Sequence, residues 1–162
     1  MKKVICAIDV GYGHTKHACV GPDQKPHFGS FPSFSPSLTP GQAVRNYRVR
    51  EAIIDGARYA VGPESALLLP VSFDRIRTAN FSQAPEYRAL MLGALSYLGQ
   101  PVIDELVVGL PLNTIGQFRS RLIAEWTGSH TVPAFDGGDG QREVLVKNVR
   151  VLPQPMGSAL AH

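Results

Sequence analysis

The sequence lacks several features that would each place it in a broad class of protein. Its 162 residues contain only two cysteines, Cys6 and Cys19, which we interpret as small buried hydrophobic residues that a cytoplasmic protein keeps reduced. No apolar run approaches about 18 residues, so no membrane-spanning helix is expected. The apolar run near the amino terminus continues to Asp9 and has no small-residue cleavage site. We therefore interpret it as a β-strand rather than a signal peptide.

Concentrated charge is also missing. The net charge is +3, and the densest basic group is Arg45, Arg48 and Arg50. These arginines could contact nucleic acid or an acidic partner, but so small a group is more typical of a solvated loop and strand. Residues 136–140 carry two aspartates among glycines, yet they lack the spaced carboxylates and the distal glutamate of a calcium loop. We interpret this segment as the tip of a hairpin.

What is present is the composition of one ordinary globular domain, with 44% hydrophobic and 18% charged residues. Turn residues between apolar runs in the first half predict a three-stranded meander and then a second hairpin about Asp55-Gly56, a pair that favours a two-residue turn. A proline-rich loop at 31–41 separates the two. The predicted strands are 3–10, 15–21, 26–31, 48–54 and 58–61. We expect a short helix at 64–69 and assign nothing to residues 70–82.

The second half alternates between helical and strand patterns. Apolar residues at helical spacing predict one helix from Pro85 to Gly99 and another from about Ile115 to Trp126, with Gly128 as its carboxyl-terminal cap. Strands are predicted at 103–110, 132–135 and 144–152. Helices alternating with strands in this way favour a layered α/β fold.

The first candidate site is the turn that follows the amino-terminal strand. Gly11 and Gly13 allow a tight turn with uncovered amides, which form a concave site for an oxyanion. Lys16 could add a positive charge beside a phosphate, and Asp9 could hold a magnesium ion through its waters. The turn lacks the Gly-Lys-Ser/Thr ending of a Walker A loop, and a strand follows it instead of a helix. The alternative interpretation is a plain glycine-rich hairpin turn.

The second candidate site is Gln154, which lies between Pro153 and Pro155 at the end of a predicted strand. The prolines stiffen the backbone on both sides of the glutamine. A glutamine can orient a water molecule by donating and accepting hydrogen bonds, as it does in some phosphate-hydrolysing sites. The alternative is a proline-rich strand exit with an exposed glutamine.

Three segments in order resemble the actin, Hsp70 and sugar-kinase superfamily, and within it the actin-like plasmid-segregation ATPases of the ParM/StbA type. They are the Asp9-x-Gly11 turn with Thr15-Lys16, the Val107-Val108-Gly109-Leu110-Pro111 strand end, and the Val151-x-Pro153-Gln154 segment with Gly157. The resemblance covers residues 3–20, 105–128 and 149–160, and it is poor over 30–82. It implies a ribonuclease H-like fold, with a mixed five-stranded sheet, flanking helices and an inserted hairpin region.

The resemblance also implies roles for individual residues. Asp9 would hold water-coordinated magnesium, and Gln154 would position the lytic water. The phosphates of ATP would be bound by the turn and the lysine that follows it: Gly11, Tyr12, Gly13, His14, Thr15 and Lys16. Many segregation ATPases have glutamate where this chain has Gln154, so the glutamine is expected to orient the water rather than act as a base.

The resemblance further implies a cytoplasmic ATPase that forms filaments and moves plasmid DNA through a DNA-bound adaptor protein, without direct contact to nucleic acid or membrane. Residues 1–162 would be one domain, the amino-terminal half of a two-domain protein, with 156–162 beginning the connecting helix. No second Asp-x-Gly-x-Thr turn follows Lys16, so this fragment alone is expected to be inactive in hydrolysis. Two alternatives remain: a sugar- or acetate-kinase-type phosphotransferase domain, and a non-catalytic interaction module.

Overall fold

Ten strands and two α-helices make up the regular structure in a computed structural model, which describes residues 2–68 and 80–154. In chain order they are β1 (Ile5–Val10), β2 (His14–Val20), β3 (Pro26–Pro32), β4 (Arg50–Ile54), β5 (Ala57–Val61), α1 (Pro85–Leu98), β6 (Val102–Ile103), β7 (Glu105–Leu110), α2 (Ile115–Trp126), β8 (Gly128–Pro133), β9 (Gln141–Val146) and β10 (Val149–Pro153). Short 3-10 helices lie at Ser65–Leu68 and Phe81–Gln83. Neither α-helix is long and apolar enough to cross a membrane.

The central sheet is mixed and five-stranded, with the order β10-β7-β1-β2-β3. The strands β1, β2 and β3 form the predicted antiparallel meander, whereas β7 runs parallel to both β1 and β10. Because β1, β7 and β10 run in the same direction, their carboxyl ends meet at one edge of the sheet. The predicted fold class is confirmed.

Alternation along each strand divides this sheet into a core face and an open face. Cys6, Ile8 and Val10 of β1 are buried in the main hydrophobic cluster, which also contains apolar residues of α1 and α2. The opposite face carries Ile5 and Phe28, whose exposed fractions are 44% and 82%. Within residues 2–68 and 80–154, both α-helices therefore contribute to the core on one side of the sheet.

Two smaller sheets accompany the central one. The hairpin β4–β5 forms a separate two-stranded sheet, as expected for an inserted region. Its turn has positive φ at both Asp55 (50°) and Gly56 (82°), the conformation for which an Asp-Gly pair is favoured. The third sheet has the order β6-β9-β8.

The structure corrects four predicted boundaries. The run 103–110 is interrupted at Asp104, because β6 pairs with β9 whereas β7 pairs with β1. Likewise 144–152 divides into β9 and β10, which belong to different sheets. The strand predicted at 132–135 instead spans Gly128–Pro133. The cap of α2 is accordingly Thr127, not Gly128, and Gly128 already belongs to β8.

Other predictions agree with the structure or lie beyond its description. The helix α1 begins at Pro85 and ends before Gly99, whose positive φ of 71° suits a glycine. Cys6 and Cys19 lie opposite each other on β1 and β2, and both are buried free thiols. Burial raises the pKa of the Cys6 thiol, which keeps that thiol protonated and unreactive. The connecting helix predicted at 156–162 lies outside the described residues.

Candidate functional site

Asp9 and Gln154 meet at the edge where the parallel strands end. Asp9 lies near the end of β1, and Gln154 follows directly after β10. The Nε2 atom of Gln154 donates a hydrogen bond of 2.8 Å to Oδ1 of Asp9, and it lies 3.4 Å from the Val10 carbonyl oxygen. The two candidate sites of the sequence are therefore one site, assembled from residues 145 positions apart.

Gly109, on the intervening strand β7, makes this contact possible. A Cβ atom at this position would lie 3.0 Å from Oδ1 of Asp9 and 3.1 Å from Cγ of Gln154. Any side chain here would crowd both groups, which would have to shift by a few tenths of an ångström to make room. Gly109 belongs to the Val107–Pro111 motif, and the presence of a glycine there is the only sign in the sequence that this position lies at the site.

In the turn between β1 and β2, one amide and one carbonyl are already hydrogen-bonded within the protein. The Gly11 amide donates to the carbonyl of His14 at 3.1 Å, and the Gly13 carbonyl accepts from the Ser33 amide at 2.9 Å. In this conformation the Gly11 proton is directed at His14 instead of a ligand. Tyr12, with 45% of its surface exposed, places its ring 5.8 Å from that of Phe81.

The residues after the turn point to opposite sides of the sheet. Thr15 is fully buried, opposite Val10, and its hydroxyl is 2.9 Å from that of Ser33. Lys16 is exposed and lies opposite Asp9, on the open face. The structure thus brings Lys16 to the side of Asp9 and keeps the Thr15 hydroxyl away from it.

A cleft of about 270 Å³ adjoins the Asp9–Gln154 pair. Its walls come from the turn, from the 3-10 helix at 81–83, from α1 and from the segment that joins β7 to α2: Val10, Gly11, Tyr12, Phe81, Ser82, Tyr87, Gly109, Leu110, Pro111, Asn113, Thr114 and Gln154. Tyr87 is buried at this cleft, and burial followed by the charge of Asp9 raises the pKa of its hydroxyl. The hydroxyl consequently stays protonated and remains a hydrogen-bond donor.

The oxygen ligand available at this edge suits a magnesium ion that is held mainly by water and phosphate oxygens. Asp9 offers a half-buried carboxylate, one oxygen of which is occupied by Gln154. Among residues 2–68 and 80–154, no group of three or more histidine, cysteine, aspartate or glutamate side chains is placed to hold a metal. Magnesium is commonly bound by one or two carboxylates together with substrate phosphates, so a single aspartate fits this role.

A family model described as the N-terminal domain of actin-like proteins matches residues 7–157. The chain belongs to this family. The match covers all three segments on which the predicted resemblance depended, and that prediction is confirmed. Both Asp9 and Gln154 lie within the matched residues.

Solved actin-like structures share this fold. Apo ParM of pSK41 aligns with a TM-score of 0.70 and 19% identity, over 98% of this chain and 51% of ParM. The filament structure of AlfA from the Bacillus subtilis plasmid pLS32 aligns with a TM-score of 0.67 and 18% identity, over 94% of this chain and 56% of AlfA. The archaeal actin homologue Ta0583 in complex with ADP aligns with a TM-score of 0.60 and 22% identity, over 98% of this chain and 46% of Ta0583. No curated protein sequence gives a significant match.

The chain thus spans about half the length of the solved structures it resembles, between 46% and 56% in these three. At these identities the likeness establishes the fold. The nucleotide belongs to Ta0583 and the filament to AlfA, by their own descriptions.

Proposed function

We propose that this domain is the amino-terminal, nucleotide-binding half of an actin-like ATPase that polymerises with ATP to segregate plasmid DNA. The observation that carries the proposal is the Asp9–Gln154 hydrogen bond at the carboxyl edge of the parallel strands, beside a glycine turn. In open α/β sheets, ligands bind at this edge of the strands. The ADP complex of a relative with the same fold supports a nucleotide as the ligand.

Each site residue has a defined task in this proposal. Asp9 holds magnesium through water, and Lys16, on the same face, neutralises phosphate charge. The turn from Gly11 to His14 contacts the phosphates once the Gly11 amide is released from His14, whereas the Thr15 hydroxyl, buried on the other face, supports the turn through Ser33. Gln154 uses Nε2 to bind Asp9, which leaves its carbonyl oxygen to accept a hydrogen bond from the attacking water. Magnesium, when bound, supplies positive charge against the β- and γ-phosphates.

The support for self-association and plasmid segregation comes from the relatives and not from the geometry of this chain. One relative is described as a filament structure and another as a non-polymerisable mutant of a ParM. We propose that the protein carrying this domain assembles with copies of itself and contacts DNA through a bound adaptor protein. The proposed location is the cytoplasm, where both ATP and plasmid are found.

The test is ATP–magnesium binding by the 162-residue chain, measured by isothermal titration calorimetry. We expect weak binding without useful hydrolysis, because the relatives are about twice as long and a second domain would supply the opposite wall of the nucleotide site. Lys16→Ala should weaken binding by about tenfold, the loss expected for one charge-assisted hydrogen bond. Lys25→Ala, which changes an exposed lysine outside the site, is the matched control and should bind as the original chain does.

Undetectable ATP binding would contradict the proposal and favour an interaction module. Steady hydrolysis that is abolished by Asp9→Ala would contradict the expected inactivity of this chain.

A further inference from the structure

The hydroxyl of Tyr87 is buried without a hydrogen-bond partner among the described residues. Only 2% of the residue is exposed, and the Oη atom has no acceptor or donor within reach in residues 2–68 and 80–154. Its ring is held edge-on to Phe81, with 5.6 Å between the ring centroids and an interplanar angle of 88°. A buried hydroxyl left unpaired costs about 1–3 kcal/mol. A phenylalanine would fill the same place without that cost.

Tyr87 lies in the wall of the cleft that also contains Gln154. The cleft volume of about 270 Å³ exceeds the roughly 30 Å³ that one water occupies in the liquid, so several waters fit. Polar groups that could hold such waters come from Ser82, Thr114 and Gln154 as well as from Tyr87. Buried waters are retained where two to four polar partners surround them.

The side-chain amide of Gln154 offers an acceptor that complements the Tyr87 donor. Its Nε2 atom is committed to Asp9, so its Oε1 atom is the part of the amide able to accept from a solvent molecule. The protonated Tyr87 hydroxyl is a donor. A water between them would accept from the tyrosine and donate to the glutamine, and it would satisfy both groups.

We propose that Tyr87 is a positioning residue whose hydroxyl donates to an ordered water in the cleft, and that this water hydrogen-bonds Oε1 of Gln154. The water binds the oxygen of the glutamine amide and the Asp9 carboxylate binds its nitrogen, so the two together fix the amide plane. This inference rests on the proposed function for its purpose, since the amide so held is the group that would orient the attacking water. The bridge itself belongs to the ligand-free protein and can be tested there.

A double-mutant cycle in urea tests the bridge. The variants Tyr87→Phe, Gln154→Leu and the double variant are unfolded in urea, and their midpoints are compared with that of the original chain. Each single change should lower the midpoint by roughly 0.3–0.5 M, and the double variant should lie no lower than the less stable single variant. Additive effects, or a Tyr87→Phe midpoint equal to or above that of the original chain, would overturn the proposal.

Tyr59→Phe is the matched control. Tyr59 is also buried, with 8% exposed, but it belongs to β5 and does not line the cleft. Its change should combine additively with Gln154→Leu. Coupling of the same size for Tyr59 would show that the cycle reports general destabilisation, and this would also overturn the proposal.

ATP–magnesium titration of the same variants separates this inference from the proposed function. If the original chain does not bind ATP, the proposed function fails, while the urea cycle still decides whether Tyr87 is linked to Gln154. If the chain binds ATP, Tyr87→Phe should keep the affinity within about twofold, because a positioning residue does not contact the nucleotide. A tenfold weaker affinity would show direct nucleotide binding by Tyr87 and would contradict the positioning role.

Discussion

The Asp9–Gln154 contact depends on the absence of a side chain at Gly109. Neighbouring parallel strands place Gly109 between the two groups, where even a methyl group would lie 3.0 Å from the aspartate oxygen. Both partners lie at the ends of their strands, so a crowded pair can separate by moving away from the sheet. Crowding at Gly109 should therefore impair the site more than the fold.

We expect Gly109→Ala to weaken ATP–magnesium binding by about tenfold, because its Cβ atom would displace the Asp9 carboxylate that holds magnesium, a loss comparable to one hydrogen bond to a charged group. Calorimetric titration measures this loss. Gly116→Ala is the matched control, because a Cβ atom there meets nothing within 4 Å and the position lies in α2. That control should bind as the original chain does and gain up to about 1 kcal/mol of stability from the better helix former. Unchanged binding by Gly109→Ala would contradict the role given to the position of the Asp9 carboxylate.

His17 makes stability depend on pH. Its ring stacks on Tyr97 at 5.8 Å, and burial together with the charge of Arg50 lowers its pKa below the usual 6.5. The unfolded chain therefore binds a proton near pH 6.5 that the folded chain does not yet bind. The contribution of neutral His17 to stability is complete above pH 6.5 and is lost as the pH falls below it.

We expect His17→Phe to flatten the fall in stability between pH 6.5 and pH 5, because phenylalanine keeps the aromatic packing and cannot be protonated. Urea unfolding at a series of pH values measures the slope. His14→Phe, at an exposed position of the same strand, should leave the slope of the original chain unchanged. An unaltered slope in His17→Phe would assign the pH dependence to other groups.

Local patterns in the sequence were enough to select Asp9, Lys16 and Gln154 as candidates, but not the residues that pack around them. A strand ending in an acid and a glutamine between prolines are each visible within about ten residues. The contacts of Gly109 with both, and the burial of Tyr87 beside Gln154, depend on the packing of segments distant in the chain. Likewise, the hydrogen bond of the Thr15 hydroxyl to Ser33 follows from the pairing of β2 with β3.

At the scale of elements, two runs that look like single strands in the sequence, 103–110 and 144–152, each divide between two sheets. Asp104 separates β6 from β7, its carboxylate accepting from the Val4 amide at 2.8 Å and from Lys147 at 2.7 Å. Apolar residues continue across this break, since Ile103 and Leu106 are both fully buried although their strands belong to different sheets. A hydrophobic pattern shows that a segment is buried but not which partner strand covers it. The hairpin β4–β5 was predictable because its turn chemistry is local.

The same hairpin offers a test of backbone strain. Gly56 has φ of 82°, and a Cβ atom there meets nothing within 4 Å, so only the backbone conformation opposes a substitution. Gly56→Ala should lower the free energy of unfolding by about 1 kcal/mol. Gly56→Asn should cost less, because asparagine tolerates the left-handed region. Thermal unfolding measures both, with a shift of about 3 °C for the alanine variant. Equal losses for the two substitutions would contradict the conformational explanation.

At the scale of the whole molecule, the charged groups of the site lie together on one face of the central sheet. Asp9 and Lys16 lie on the open face of the sheet, and the solved relatives are about twice as long as this chain. A phosphate bound between Lys16 and the turn would face away from the core of this domain. The proposed second wall would therefore close over the phosphates, and nucleotide hydrolysis would change how the two halves fit together. Such a closure can favour subunit contacts while the γ-phosphate is present and release them after hydrolysis.

This coupling predicts that a protein of the relatives' length, carrying this domain, will scatter more light when ATP and magnesium are added. The signal should decay as ATP is consumed, and Gln154→Ala should prolong it by slowing hydrolysis without preventing assembly. Asp9→Asn should abolish the rise, because magnesium and the phosphates would no longer be held, whereas Lys25→Ala should match the original protein. ATP binding without any increase in scattering would contradict the filament proposal. If that protein instead phosphorylated a sugar or acetate, the site would be that of a kinase. Gln154 would then hold the acceptor hydroxyl or carboxylate in place of water.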